Sequence, residues 1–251
     1  MKKILYLVQA KAEIPLAYLS IRKKIVLLSY LQKTAQTDIF LPNSTWTEGR
    51  NALFNYVQKT DYDYYVFLDE DLEFEPSIFN LEAGCTQSLI NEIGFKQFED
   101  FLDVYAAPIT TPRQWHYNRT STQIAGIPLH IQRKALENES YEAQPVDWFD
   151  AAFNAYRKDV FFSNLILPYS TEFDVVSWWT SQFIVILKSN YHFKDHIIQA
   201  NRIAVKNLES TTNARYRRGE ASFGDAYKKF LSEHSIDDLH MTSEAKLYLP
   251  M

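Results

Sequence analysis

Between Asp61 and Glu73 the chain reads Asp-Tyr-Asp-Tyr-Tyr-Val-Phe-Leu-Asp-Glu-Asp-Leu-Glu, and this stretch restricts the possible folds more than any other. The run Tyr64 to Leu68 is apolar or aromatic throughout, the pattern of a strand covered on both faces. It ends abruptly in Asp69-Glu70-Asp71. Carboxylates without partners are costly to bury, so these acids belong at the strand's C-terminal edge. In open α/β sheets that edge is where ligands bind. Asp69 and Asp71 are two apart, which on an extended chain sends both side chains to one side. Two hard oxygen donors converging there suit Mg²⁺ or Mn²⁺, which in turn bind phosphate oxygens.

Composition narrows the choice. At 251 residues and 46 % hydrophobic, the chain can bury a substantial core. With only 6 Gly, and no Gly-rich phosphate loop, any nucleotide must be held by a metal and side chains. A net charge of −5 disfavours nucleic acid as a partner. The single Cys85 excludes an internal disulfide and suits a reducing cytoplasm. The apolar run Ile4 to Val8 is too short for a membrane span, so no integral membrane segment is expected there, and it is predicted as the first buried strand.

The spacing predicts a helix over Pro15 to Lys33, on Leu16, Leu19, Ile25, Leu28 and Leu31. Asp38 to Leu41 is a short strand, followed by a polar loop over residues 43–49 and a helix from about Arg50 to Lys59. The acidic strand comes next. This β-α-β-α-β order implies a mostly parallel, Rossmann-like sheet flanked by helices. Further on, a helix is expected over Pro76 to Phe101 and a strand over Asp103 to Ile109, with Pro108 near a sheet edge or a strand end. Residues 112–145 form a polar insertion. Apolar order resumes over Val146 to Tyr156 and Val160 to Ile166. A helix over Glu172 to Ile186, a strand-rich stretch over Tyr191 to Val205 and a final amphipathic helix over Ala221 to His234 complete the chain.

Several residue groups carry candidate chemistry. Arg50 suits bidentate pairing with a pyrophosphate or a carboxylate, and Asn51 suits a base edge or a helix cap. Glu172 and Asp174 stand at a predicted helix start, where acids complement the dipole. A carboxylate there also suits a general base. Trp178 and Trp179 are adjacent on the same helix, so one is a candidate for stacking on an acceptor. Asp150 follows the polar insertion, where it could bind a ligand or cap the next element. His192 and His196 are four apart, and Arg215, Arg217 and Arg218 form a dense basic patch.

The run Glu48-Gly49-Arg50-Asn51-Ala52, followed by a helix and then Tyr65-Val-Phe-Leu-Asp69-Glu70-Asp71, resembles the nucleotide-sugar half of GT-A fold glycosyltransferases. The resemblance implies a single domain over 1–215, with a nucleotide-sugar half (1–110), an acceptor half (111–215) and a helical tail (216–251). It implies that Arg50, Asn51, Asp69, Glu70 and Asp150 contact a nucleoside-diphosphate sugar, UDP favoured. Asp69 and Asp71, with His196, would hold Mn²⁺ or Mg²⁺. Asp174, backed by Glu172, would be the base of an inverting transfer, and Trp178 and Trp179 would line the site of a glycan or lipid-linked acceptor. Bacterial surface polysaccharide synthesis, in the cytoplasm or peripherally at the inner membrane, is the setting such a chain suggests. Two other readings stand beside it. A sugar nucleotidyltransferase would need a Gly-rich first loop, which Val8 to Glu13 lacks. A non-catalytic carbohydrate-binding or assembly protein would use the aromatics alone.

Overall fold

A computed structural model describes residues 1–75, 85–115, 142–174, 177–208 and 220–239. Its centre is a nine-stranded sheet. The strands are β1 (Ile4–Ala10), β2 (Ile25–Ser29), β3 (Ile39–Phe40), β4 (Tyr64–Asp69), β5 (Leu72–Phe74), β6 (Ile109–Trp115), β7 (Ala143–Pro145), β8 (Phe153–Arg157) and β9 (Ile197–Asn207). Their order is β3-β2-β1-β4-β8-β6-β9-β5, with β7 also on β9. Strands β1, β2, β3, β4, β6 and β9 run one way, while β5, β7 and β8 oppose them. The expected mostly parallel α/β sheet is therefore present.

Both faces are covered, as the continuous apolar strands require. On the first face lie α1 (Trp46–Tyr56), α3 (Lys158–Phe161), α4 (Trp178–Phe193) and α5 (Glu220–His234). They pack Leu53, Phe54, Phe161, Phe183 and Phe230 against Leu7, Tyr65, Phe67 and Tyr156 of the sheet. On the second face a 3-10 helix (Leu16–Lys24) and α2 (Gln87–Tyr105) pack Tyr18, Ile21, Phe95 and Phe98 against Tyr6, Val8, Val66, Leu68 and Phe153. Alternation along β4 therefore sends Phe67 and Asp69 to the first face. The expected C-terminal helix is α5, and its Ala226 and Phe230 are part of the first core.

The structure corrects several element assignments. The helix expected over Pro15 to Lys33 stops at Lys24, and Ile25 to Ser29 pairs in parallel with β1. Asp103 to Tyr105 closes α2, and the strand begins only at Ile109. That strand is interior, between β8 and β9, and Pro108 stands at its end, just before Ile109. Its own proline, Pro112, sits at a register shift against β9, where a missing N–H is tolerated. Most of the polar insertion and the Arg215–Arg218 patch lie outside the described residues.

Candidate functional site

Helix α1 begins with a capping box. Thr45 Oγ1 accepts from the Glu48 N–H at 3.1 Å, and the Thr45 N–H donates to Glu48 Oε2 at 2.9 Å. Gly49 sits where a Cβ would lie 2.3 Å from the Gln9 carboxamide, so α1 approaches β1 closely. This approach drives Arg50 into the core with no exposed surface. Its Nη1 donates to the Leu7 and Leu68 carbonyls, each at 3.3 Å, and its Nη2 donates to Asp69 Oδ1. The guanidinium also lies 4.9 Å from the Phe67 ring and 5.3 Å from the Trp46 ring.

Asp69 stands at the C-terminal end of β4, its side chain 21 % exposed. Trp46 Nε1 donates to the same Oδ1 at 3.2 Å, and the Trp46 ring stacks on Tyr169 at 5.6 Å. From the second face Tyr18 donates to the Asp69 carbonyl. Burial pushes the Asp69 carboxyl up to about 6; Arg50 and Trp46 oppose the rise, while Asp150 and Glu70 add to it. Asp150 reaches this point from the turn before β8: its Oδ1 accepts from the Ala152 N–H at 3.0 Å, and the Ala152 carbonyl accepts from the Asp69 N–H at 2.9 Å. Asp71 is half-buried in the turn between β4 and β5, and its charge helps to hold the buried Tyr18 hydroxyl well above its usual range, after burial itself. Acids thus converge on the end of β4.

Asp174 joins this region through the first turn of α1. Its Oδ2 accepts from Thr45 Oγ1 at 2.5 Å. Its Oδ1 accepts from Thr47 Oγ1 at 2.5 Å and from Ser181 Oγ, on α4, at 2.6 Å. Trp46, between those two threonines, is the residue that bonds Asp69. The segment Thr45-Trp46-Thr47 therefore bridges the two carboxylates. These residues, expected in a polar loop, form the N-cap and first turn of α1. The available signal was the Thr45-x-x-Glu48 spacing, which marks a helix start one turn earlier.

Other expected site residues are placed differently. Arg50 is buried behind Asp69 and supports it, so it is not positioned to clamp a pyrophosphate. Asn51 is engaged by the backbone of Tyr169: its Nδ2 donates to the Tyr169 carbonyl at 2.9 Å, and its Oδ1 accepts from the Tyr169 N–H at 2.7 Å. Glu70 turns toward the β1–β2 side, where the Tyr30 hydroxyl and the Lys11 N–H each donate to it at 2.6 Å. Glu172 is half-exposed and paired with Lys229 of α5. Trp178 and Trp179 stack on each other at 4.6 Å in the first turn of α4, one turn from Asp174's partner Ser181.

His196 lies far from the acids. It precedes β9, whose Ile197 is level with Ile109, Tyr156 and hence Tyr65. Asp69 lies four residues beyond Tyr65, about 13 Å along the strands and three strands across. His196 is exposed at the opposite edge and cannot share an ion with Asp71.

The donor set fits a hard divalent cation in part. Asp69, Asp71 and Asp150 are oxygen donors, and a cation would relieve the repulsion between Asp69 and Asp150. Among the described residues no three His, Cys, Asp or Glu side chains form a ready-made cage. Mg²⁺ is commonly held by one or two carboxylates, with water and substrate phosphates filling its remaining positions.

The sequence matches no family model and no curated protein sequence. Solved structures share the fold. Residues 1–349 of S. aureus TarS superpose with a TM-score of 0.54 at 11 % identity, over 98 % of this chain and 69 % of that one. The same TarS fragment in complex with UDP-GlcNAc gives 0.51 at 10 % identity, over 99 % and 70 %. Its complex with UDP gives 0.50 at 9 % identity, over 97 % and 69 %. The fold of this chain is that of GT-A glycosyltransferases.

Proposed function

We propose that this chain, built on the GT-A fold, is a metal-dependent glycosyltransferase that moves a sugar from a nucleoside diphosphate, UDP favoured, to a hydroxyl of a glycan or lipid-linked acceptor with inversion. The observation that carries this reading is the Thr45-Trp46-Thr47 bridge, which holds an acid cluster at a strand end and a separate carboxylate, Asp174, on one rigid helix start. That TarS has been seen with UDP and UDP-GlcNAc on the same fold supports the choice of donor class. The setting proposed is cytoplasmic; no described helix is long and apolar enough to cross a membrane.

In this reading Asp71 and Asp69 hold Mg²⁺ or Mn²⁺. When bound, the ion supplies Lewis-acid neutralisation of charge on the departing diphosphate. Arg50 and Trp46 keep Asp69 ionised and aimed, although burial favours its protonated form. Asp150 faces the same point and is placed to accept from donor-sugar hydroxyls. Asp174 takes the acceptor's proton on Oδ2, which among the described residues accepts a single hydroxyl donor and so keeps a lone pair for it. Thr45, Thr47 and Ser181 fix the carboxylate plane, and the Trp178–Trp179 pair offers an apolar wall for the acceptor. Glu172 contributes through Lys229 to the position of the loop rather than to proton transfer.

The test is thermal stabilisation by Mn²⁺ with a panel of nucleoside diphosphates, followed by turnover of variants. Stabilisation that requires both ligands is expected, about 2.7 kcal/mol at a hundredfold excess over Kd. Asp71→Ala should lose it. Asp174→Asn should keep donor affinity and lose about 10²- to 10⁴-fold in turnover, the range for a general base. Stabilisation by glycan alone, with no nucleotide effect, would replace the transferase with a carbohydrate-binding module. A nucleotidyltransferase would instead respond to nucleoside triphosphate.

A further inference from the structure

The 3-10 helix has two unlike ridges. Residues three apart eclipse in such a helix. Tyr18 and Ile21 form the inner ridge, buried in the second core, and Tyr18 reaches the Asp69 carbonyl. Leu16, Leu19 and Arg22 form the outer ridge, with Lys23 beside it. Leu16 is 81 % exposed and Leu19 48 % exposed. Arg22 and Lys23 are exposed and have no ion-pair partner among the described residues, whereas Lys24 pairs with Glu99 of α2. The loop that follows β2 packs on the loop that follows β1, since the Leu31 N–H donates to the Lys11 carbonyl at 2.9 Å. It adds Leu31, 62 % exposed, and the exposed Lys33 to the same rim. From Lys11 to Lys33 the sequence carries Lys11, Arg22, Lys23, Lys24 and Lys33 against Glu13; Lys11 lies 3.7 Å from Glu70 and Lys24 pairs with Glu99, so Arg22, Lys23 and Lys33 supply the local positive charge, in a chain of net charge −5.

We infer that this outer ridge and rim dock on an anionic lipid bilayer. Protruding leucines suit the acyl boundary, and cations beside them suit anionic headgroups. The local positive charge on an acidic chain supplies the complementarity. Leu16 and the Leu31–Lys33 rim lie at the end of the sheet that carries Asp69, so docking through them favours a lipid-linked acceptor over a free glycan; only that last step rests on the transferase reading.

The experiment is flotation of the full chain with vesicles of phosphatidylcholine, alone or mixed with phosphatidylglycerol. Wild type should bind the mixed vesicles at least about tenfold better than the neutral ones. Leu16→Ser with Leu19→Ser, and separately Arg22→Glu with Lys23→Glu, should each weaken that binding about tenfold. All four positions are exposed, so circular dichroism and the Mn²⁺–UDP thermal shift should match wild type. Equal binding to both vesicle types, binding to neither, or unchanged binding by the variants would overturn the inference. So would a wild-type dimer in sedimentation velocity that the leucine variant abolishes, since the ridge would then serve a second copy. Vesicle binding needs no donor, so its failure is distinct from failure of the nucleotide-dependent shift.

Discussion

Arg50→Met is the sharpest probe of the site. Methionine retains much of the apolar stem between Trp46 and Phe67, so the substitution mainly removes charge and donors. Taking one partner from a buried ion pair costs about 3–5 kcal/mol, because the other charge is left uncompensated. The cost should depend on pH. Wild-type Asp69 already titrates at about 6 rather than 3.8, even with Arg50 lowering it. A carboxyl raised in the folded state binds a proton that the unfolded chain does not. Its contribution is therefore present below 3.8 and is lost as pH rises through about 6. A rise of about 2 pH units corresponds to about 3 kcal/mol. Without Arg50 the carboxyl moves higher still, so the variant's deficit should be largest near about pH 8 and shrink towards about pH 5. Urea unfolding of wild type, Arg50→Met, Asp69→Asn and the double variant at both pH values measures this. The double variant should recover at least about 1 kcal/mol of the Arg50→Met loss. A deficit that is the same at both pH values and simply additive with Asp69→Asn would refute the ion pair as the reason Arg50 is buried.

Asn51→Ala should cost about 1–3 kcal/mol in the same unfolding assay, through the two bonds it removes from Tyr169, while UDP affinity stays near wild type. Lost UDP affinity at unchanged stability would return Asn51 to the donor pocket. Gly49→Ala should cost about 1–3 kcal/mol, with part of the loss restored by Gln9→Ala, because the added methyl meets the buried Gln9 carboxamide; no rescue would assign the cost to the helix backbone instead. His192, on α4 against α5, is pushed below 6.5 by burial and then by His234 and Lys188. A group depressed in this way favours the folded state only while neutral, so stability should fall as pH drops below about 6.5. His192→Asn should flatten that slope in a pH series of thermal unfolding, and an unchanged slope would assign it to other groups.

What the sequence made legible was local. The abrupt change from Leu68 to Asp69 marks both the strand and its edge, because burial chemistry acts within a few residues. The end of α5 at His234 was equally clear from its periodicity. The second strand was hidden by chance, since Leu16, Leu19, Ile25, Leu28 and Leu31 match a helical stripe. The continuous apolar run Ile25-Val-Leu-Leu28 was the stronger signal, being β-branched at its start and buried at its end. Arg50 could not be placed in advance. An arginine near a helix start is ordinarily solvated, and only the close approach of α1 to β1 at Gly49 and the distant Asp69 make burial tolerable. His196 failed for the same non-local reason: its edge of the sheet is set by the register of β9 on β6, which spacing in the chain does not encode.

The bridge through Thr45-Trp46-Thr47 gives this arrangement a functional logic beyond its contacts. Asp69 is held at a point where burial favours its neutral form, so it is a carboxylate in tension with its surroundings, and a ligand cation would relieve that tension. Asp69 and Trp46 share a hydrogen bond, so the position of one bears on the other. Trp46 lies between the two threonines that orient Asp174, at the start of a helix fixed by its own capping box. In the proposed transferase, donor-side charge and acceptor-side geometry are thus carried by the same three residues. A transfer in which the base must be aligned only when a donor is in place requires that kind of coupling, whereas a passive sugar-binding surface has no use for it.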